Sequence, residues 1–147
     1  MPTITYDPES IDKMNVKVKN GLYQIEIPPP YKHEEDGDKL AVYDNADGVG
    51  ALSITSYGIP QDYSFITTSE LQDFIWSIDS SAVLTDTDCK PEYCRAEFLD
   101  SSDRYWRVWV LFSNNRAVFI SYNCDNNDKD VERNAVDKIV RSIVPTA

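Results

Sequence analysis

The chain has 147 residues, of which 25 are acidic and 14 are basic, so its formal net charge is −11. This length fits one domain over residues 1–147, with a core large enough to hold the fold without a structural metal. Fixed negative charge repels phosphate backbones and anionic lipids, so we expect neither nucleic acid nor a membrane as partner. Residues 1–10 lack the basic start and apolar core of a signal peptide, which predicts a cytoplasmic location.

The chain has three cysteines, Cys89, Cys94 and Cys124, and a domain of this size needs no disulfide framework. We therefore expect three reduced thiols in a reducing compartment. A redox pair of Cys89 and Cys94 is disfavoured because their spacing is C-x4-C and not C-x-x-C. A zinc site would need His33, the single histidine, and no ligand pair has a recognised zinc spacing. The sequence predicts no metal and no cofactor.

A β-hairpin is the first predicted element, after an irregular segment over residues 1–13. Asn20-Gly21 supplies the positive φ angles that a type I′ turn requires. Its flanks, residues 14–19 and 22–27, alternate apolar and polar side chains, which is typical of strands with one buried face. The hairpin is therefore expected to have one wet and one buried face.

Two more strands are predicted before the first helix. Pro28–Pro30 end the hairpin, because proline cannot donate to a strand ladder, and the acidic segment 31–39 is predicted as a loop. Residues 40–43 and 51–57 are rich in apolar and β-branched side chains and form the next strand pair.

After Pro60 the hydrophobic period changes to that of a helix. Thr67 and Glu70 match a capping box, so the helix is predicted to begin near Ser69 and to run for about three turns. The apolar residues that follow lie on one helical face: Leu71, Phe74, Ile75 and Ile78.

A three-stranded meander is predicted next, with strands near 93–99, 104–112 and 117–124. Its middle strand is apolar on both faces. We expect Trp106 and Trp109 to point to opposite faces of this strand and to be largely buried. Since strands with one wet face alternate cleanly, the strand should lie inside the sheet with elements packed on both sides.

The last predicted element is a helix that opens at Asp128 and ends at Pro145. Its core residues recur at helical spacing: Val131, Ala135, Val136, Ile139, Val140 and Ile143. The predicted order is therefore β4-α-β3-α. This order, with the middle strand apolar on both faces, predicts an α+β fold in a three-layer arrangement.

Four segments, together with this order of elements, carry a family resemblance: Leu22–Pro28, Leu52–Ile54, Phe119–Tyr122 and Ile139–Ile143. Over residues 16–144 the chain resembles the PsbP-like fold, which includes the PsbP protein of photosystem II, a Ran-binding import factor and DcrB-like bacterial lipoproteins. We expect it to belong to a small bacterial family within this group. The resemblance implies an antiparallel sheet of about seven strands with helices packed on its faces, a fold used mostly for binding proteins and not for catalysis. No functional residue of these families carries over.

No catalytic set stands out in the sequence. His33 lies in a charged loop, where a solvated side chain is expected. Residues 28–31 match the P-P-x-Y ligand pattern of WW domains, but a turn that buries Tyr31 fits better because the prolines directly follow a core strand. Segments 44–48 and 125–130 look like fragments of calcium loops but lack the full ligand pattern. The chain is therefore not expected to be an enzyme.

Two acidic loops are predicted to meet at one end of the sheet. The strands that end at Leu99 and near Cys124 run in the same direction in the meander, so the loops after them share an end. Five carboxylates, which we call the acidic end, converge there: Asp100, Asp103, Asp125, Asp128 and Asp130. Solvated turns without a function are the alternative interpretation.

These features predict a non-enzymatic protein-binding domain whose acidic end binds a basic protein partner. A concrete form is an inhibitor or immunity protein that neutralises a basic toxin or nuclease, because opposite charge speeds capture. The alternative is an accessory or chaperone-like module of an envelope or secretion assembly, which would bind through an apolar groove. The sequence leaves the identity of the partner and the oligomeric state open.

Overall fold

The computed structural model of the chain describes residues 14–17, 22–113 and 115–145. These residues contain ten strands and two helices. In chain order the elements are β1 (Met14–Lys17), β2 (Tyr23–Ile27), β3 (Lys32–Asp36), β4 (Lys39–Tyr43), β5 (Gly50–Gly58), α1 (Thr67–Ile78), β6 (Val83–Lys90), β7 (Tyr93–Leu99), β8 (Tyr105–Ser113), β9 (Arg116–Cys124), α2 (Arg133–Arg141) and β10 (Val144–Pro145). This order has more strands than the predicted β4-α-β3-α.

Seven strands form one antiparallel sheet in the order β3-β4-β5-β9-β8-β7-β6. The predicted α+β class and seven-stranded antiparallel sheet are confirmed. The strands β1, β2 and β10 form a separate three-stranded sheet. Neither of the described helices is long and apolar enough to span a membrane.

The first predicted hairpin is confirmed in its strands, because β1 pairs with β2 in antiparallel register. Lys17 lies opposite Gln24, which is the register that the prediction requires. The predicted turn at Asn20-Gly21 lies outside the described residues. The segment 1–13, which is predicted to be irregular, also lies outside them.

The two edge strands of the large sheet, β3 and β6, are not predicted from the sequence. The prediction of a loop over 31–39 is wrong, because β3 pairs with β4 across a turn in which Gly37 has a φ of +60°. At the other edge, every residue of β6 is exposed. Exposed edge strands have no buried face, and their charges hinder pairing with another chain, so neither strand shows the apolar alternation that marks a half-buried strand.

Two apolar clusters lie on opposite faces of the large sheet. The α1 face of β7 and β8 packs against Leu71 and Ile75 of α1, and it consists of Cys94, Ala96, Phe98, Val108 and Val110. The opposite α2 face, which includes Trp109, packs against α2 and the three-stranded sheet. Trp106 packs with the α1 cluster, so the two tryptophans do lie on opposite faces. Trp109 is 1% exposed, whereas Trp106 is only partly buried.

The predicted capping box of α1 is wrong. The helix begins at Thr67, its N-cap is Ile66, and no side chain caps it. The Thr67 hydroxyl instead donates to the carbonyl oxygen of Lys90 at 3.1 Å and lies 3.4 Å from that of Pro91. This hydroxyl therefore ties the start of α1 to the turn between β6 and β7.

The helix α2 begins later than predicted. Asp128 ends a separate 3₁₀ turn over Asn126–Asp128, and α2 starts only at Arg133. Val131 consequently lies outside the helix and is 61% exposed, so its predicted place in the core is wrong. The remaining stripe is buried as predicted at Val136, Ile139, Val140 and Ile143.

Cys89 and Cys94 form a disulfide, so the expectation of three free thiols is wrong. Residues 91 and 92 form the short turn between β6 and β7, which places the two cysteines opposite each other in the strand register. The C-x4-C spacing that argues against a redox motif is thus the spacing of a cross-strand pair. Cys124 is a buried thiol outside the disulfide.

Glu132 is a buried carboxylate that positions the start of α2. Its Oε1 accepts hydrogen bonds from the backbone N–H groups of Val49 at 2.9 Å and Gly50 at 3.0 Å, and from the Tyr122 hydroxyl at 2.8 Å. Its Oε2 accepts a hydrogen bond from the Tyr31 hydroxyl. Tyr31 is buried, as predicted. Four donors compensate for the burial of this carboxylate.

Candidate functional site

The loops after β7 and β9 lie at the same end of the large sheet. Tyr105 at the start of β8 lies opposite both Leu99 and Cys124, the last residues of the neighbouring strands. The Arg104 Nε donates to Asn123 Oδ1 at 2.6 Å and joins the two strand ends. The fold therefore brings together the two loops that carry the acidic end.

A sixth carboxylate, Asp79, lies beside the acidic end. Its Oδ2 accepts a hydrogen bond from the Ser101 N–H at 2.7 Å, so the loop after α1 meets the loop after β7. The Ser81 N–H donates to its Oδ1 at 2.8 Å. The hydrogen bonds from Ser101, followed by that from Ser81, lower the pKa of Asp79. No sequence pattern marks this residue, because its loop lies outside the meander.

Asp100 combines its charge with a structural role in the turn. Its Oδ1 accepts hydrogen bonds from the N–H groups of Ser102 at 2.8 Å and Arg104 at 3.0 Å. Its Oδ2 accepts one from Trp106 Nε1 at 2.9 Å. Burial acts to raise the pKa of Asp100, but the hydrogen bonds from Trp106 and the backbone outweigh it, so the pKa is lowered.

The other members of the acidic end differ in their surroundings. Asp103 is exposed and has a φ of 61°, a conformation that aspartate and asparagine tolerate better than most residues. Asp125 Oδ1 accepts a hydrogen bond from the Asn127 N–H at 2.9 Å. Asp130 pairs with Arg133 Nε at 2.7 Å. Asp128 is partly buried at the end of the 3₁₀ turn.

A cleft of about 570 Å³ lies on the α2 face, between β6, β7, β8 and α2. Four of the six arginines in the chain line it, and we name it the arginine cleft: Arg95, Arg107, Arg133 and Arg141. Its apolar wall consists of Tyr93, Trp109, Leu111, Val140 and Ile143. Three carboxylates complete the lining, and they are Asp86, Glu97 and Asp137. This cleft is not predicted from the sequence.

Glu97 is the centre of a hydrogen-bond network in the arginine cleft. It accepts from Arg95 Nη1 at 2.8 Å, from Arg133 Nη2 at 3.0 Å and from the Tyr105 hydroxyl. Burial acts to raise the pKa of Glu97, but the hydrogen bonds from Arg133 and Tyr105 outweigh it and lower the pKa to about 2. Glu97 is therefore ionised at neutral pH and holds two arginines in place.

Arg107 is the most buried arginine of the cleft, with 3% of its surface exposed. Its Nη2 donates to Asp137, and its guanidinium lies 4.8 Å from the centre of the Trp109 ring. Its Nε and Nη1 are buried and have no hydrogen-bond partner among the described residues. Its charge is compensated by the partly exposed Asp137, by the electrostatic interaction with Glu97 and by an aromatic face.

A second concave surface, which we name the aromatic groove, lies between the end of β5 and α1. It has a volume of about 300 Å³ and is lined by Tyr57, Ile59, Pro60, Tyr63, Phe65, Glu70 and Phe119. Tyr57 and Tyr63 are half exposed. The Tyr63 hydroxyl donates to Glu70 at 2.7 Å, and Tyr57 packs edge-on against Phe119. This groove has the apolar character that the alternative function requires.

Comparison with solved structures identifies the fold. The solution structure of cyanobacterial PsbP (CyanoP) from Synechocystis sp. PCC 6803 matches 99% of this chain and 100% of its own length, with a TM-score of 0.71 and 14% identity. The chain has the PsbP-like fold. The predicted resemblance is thereby confirmed at the level of the fold.

Two further structures share the PsbP-like fold with this chain. The Saccharomyces cerevisiae Ran-binding protein Mog1p matches 92% of this chain and 96% of its own, with a TM-score of 0.62 and 10% identity. A Bacteroides thetaiotaomicron structure matches 92% of this chain and 49% of its own, with a TM-score of 0.59 and 16% identity. No protein-family model and no curated protein gives a significant match. At these identities the likeness shows the fold and not a function.

Proposed function

We propose that the chain is a non-enzymatic protein-binding domain and that its acidic end binds a basic protein partner. The observation that carries the proposal is the meeting of three loops at one end of the sheet, joined by the Ser101–Asp79 and Arg104–Asn123 hydrogen bonds. The fold supports the coarser statement, because it is shared with a protein named for binding Ran. In its finer form, the proposal is an inhibitor or immunity protein that neutralises a basic partner.

The carboxylates at this end are held before any partner arrives. Backbone N–H groups fix Asp79, Asp100 and Asp125, so little side-chain freedom remains to be lost on binding. The pKa values of Asp79 and Asp100 are both lowered, which favours their ionised forms. Opposite charge on a partner then raises the association rate, up to about 10⁸–10⁹ M⁻¹s⁻¹ at low salt.

The proposal treats residues 1–147 as one domain. Within it, α1 forms one layer, the large sheet the second, and α2 with the three-stranded sheet the third. Three carboxylates of the acidic end are exposed: Asp103, Asp125 and Asp130. Their exposure supports binding of a protein partner.

The test replaces two carboxylates of the acidic end that make few contacts. Asp103→Asn with Asp128→Asn removes two charges, and asparagine tolerates the positive φ at position 103. The matched control is Asp36→Asn with Asp38→Asn, exposed residues at the β3–β4 turn. The tagged chain would capture its partner from a lysate of its source cells, and the purified partner would then be used for rate measurements.

We expect the Asp103–Asp128 variant to associate about tenfold more slowly at low salt and to lose much of its salt dependence. The control should keep the rate and salt dependence of the unmodified chain to within a small factor. Equal effects of the two variants would mean that only the net charge of the chain, and not the position of the acidic end, affects association. No effect of either would refute its role in binding.

A second candidate function is an accessory or chaperone-like module of an envelope or secretion assembly that binds through the aromatic groove. The half-exposed Tyr57 and Tyr63 favour it. The Cys89–Cys94 disulfide also favours it, because structural disulfides persist in oxidising compartments. Loss of capture in Tyr57→Ala with Tyr63→Ala, together with full capture by the Asp103–Asp128 variant, would decide for this candidate.

A further inference from the structure

The arginine cleft points to a ligand of a different kind from a protein partner. We propose that it binds a small organic anion, in which a carboxylate or a phosphate is attached to an apolar body. This site lies on the α2 face and adjoins the acidic end, because Arg133 of the cleft pairs with Asp130. It goes beyond the proposed function, because it requires no protein partner.

The first argument is that every carboxylate in the cleft already has a cationic partner. Asp86 lies 3.1 Å from Arg95 Nη2. Glu97 accepts from Arg95 and Arg133, and Asp137 accepts from Arg107. The acceptors of the cleft are therefore engaged by its own arginines.

Donors remain in excess. Arg141 is exposed and has no ion-pair partner within the described ranges. Arg107 is buried with two N–H groups that find no acceptor among the described residues. Four guanidinium groups and three carboxylates line the cleft, and a fourth carboxylate, Asp130, pairs with Arg133 from outside the lining. The excess of donors therefore lies at Arg141 and at the two unpartnered N–H groups of Arg107. The group that would complete this arrangement is an anionic acceptor.

The guanidinium group also restricts the chemistry of that acceptor. Its planar set of N–H donors matches the two oxygens of a carboxylate or the oxygens of a phosphate, and such charged hydrogen bonds are stronger than neutral ones. Arginine is weakly hydrated compared with lysine, so it binds an anion at a lower desolvation cost. The cleft contains four arginines and no lysine.

The apolar wall of the cleft favours a ligand that has an apolar body. Along the β7–β8 ladder, Glu97 pairs with Arg107, Arg95 with Trp109, and Tyr93 with Leu111. The face therefore changes from charged to apolar from one end of the ladder to the other. A volume of about 570 Å³ lies within the range of about 300–1,000 Å³ that is typical of small-molecule sites. An anion with an apolar body satisfies both ends of the cleft.

The test uses three probes of similar shape: phenylacetate, phenyl phosphate and the uncharged phenylacetamide. Binding is followed by NMR at the indole N–H of the three tryptophans. Trp109 lines the cleft, whereas Trp76 and Trp106 do not and serve as internal controls. We expect the anions to shift the Trp109 signal in a saturable way and the amide to bind at least tenfold more weakly. The affinities of the two anions identify the preferred head group.

The decisive variant is Arg141→Gln, because Arg141 is exposed and its loss should leave the fold intact. Lys138→Gln is the matched control, since it makes the same charge change on the same helix at an exposed position outside the cleft lining. We expect Arg141→Gln to weaken binding of the anions about tenfold and Lys138→Gln to leave it unchanged. The proposal is overturned if neither anion shifts Trp109, if the amide binds as well as the anions, or if the two variants bind equally.

Discussion

Alternate residues of β7 and β8 form two faces of opposite character. On the α1 face, Cys94, Ala96, Phe98, Val108 and Val110 are all fully buried and apolar or sulfur-bearing. On the α2 face, the same two strands contribute Arg95, Glu97, Arg107, Trp109 and Leu111 to the arginine cleft. The strand period decides which residues share a face. The packing of the helix on each face determines whether those residues are sealed from solvent, as under α1, or line a cleft that admits charged groups, as under α2.

The two faces therefore serve different purposes. Under α1 the strands are sealed, and each side chain contributes through apolar burial and close packing. Under α2 a cleft remains open, and its charged groups are held by ion pairs that stabilise the fold less efficiently than apolar packing does. We expect mutations on the α1 face to reduce stability and mutations on the α2 face to change pH dependence and ligand binding.

The largest effect is expected at Phe98, which is fully buried on the α1 face. Phe98→Ala should lower the free energy of unfolding by about 3–5 kcal/mol, because it removes buried apolar area and leaves a cavity. Leu111→Ala, on the partly open α2 face, should cost clearly less. Chemical denaturation of both variants measures the difference. Equal losses would contradict the contrast between the two faces.

The pH dependence of stability tests the contribution of Glu97 to the charged α2 face. Its pKa is lowered to about 2 in the folded chain from an ordinary value of 4.5. The stability that it contributes, about 3 kcal/mol, is present above pH 4.5 and is lost as the pH falls towards 2. Glu97→Gln should remove this part of the acid dependence, as measured by denaturation from neutral to acidic pH. Glu92→Gln, an exposed carboxylate in the β6–β7 turn, should keep the acid dependence unchanged.

The Cys89–Cys94 disulfide links the edge strand β6 to the α1 face, so its removal tests how much the bond adds to the stability of that face. Alkylation of the denatured, unreduced chain should add one label, at Cys124, and three labels would contradict the Cys89–Cys94 bond. Cys89→Ser with Cys94→Ser should lower stability by about 2 kcal/mol, because the bond closes a short loop and constrains the unfolded chain modestly. Thermal unfolding with and without reductant provides the same comparison without mutation.

The smallest effect is expected at Thr67. Thr67→Val removes the hydroxyl that donates to the Lys90 carbonyl and should cost about 1 kcal/mol. Thr68→Val, the exposed neighbour, makes the same change without that contact and should cost less. Thr67→Ser keeps the hydroxyl and should restore most of the loss. If Thr67→Val and Thr68→Val are equivalent, the hydroxyl does not hold α1 against the β6–β7 turn.

Alternation of apolar residues predicted the buried strands and the opposed tryptophans. It failed at β3 and β6, because an edge strand with exposed side chains carries no periodic apolar signal. The helix starts failed for another reason. Thr67 and Asp128 have the residue types of helix caps, but the Thr67 hydroxyl bonds to a neighbouring turn and Asp128 belongs to a separate 3₁₀ turn. Residue type alone cannot show which local partner a polar side chain will find.

The arginine cleft left a signal in the sequence that the apolar pattern obscures. In β8, Arg107 lies between Tyr105 and Trp109 on a face that is otherwise apolar. A charged residue in such a series must be paired or must line a cavity, so its position alone marks a site. The pairing of Cys89 with Cys94 could also have been found, since a two-residue turn at 91–92 places them opposite each other.

The buried carboxylate of Glu132 also has a consequence for the order in which the chain folds. Its donors at Gly50, Val49 and Tyr31 are 82, 83 and 101 residues earlier in the sequence. During synthesis these donor groups cannot form their hydrogen bonds to Glu132 until nearly the whole described chain has left the ribosome. The α1 face, formed by residues 71–110, can close earlier because its contacts are nearer in sequence. We therefore expect the α2 side of the PsbP-like fold to form last, and the arginine cleft to form at that step.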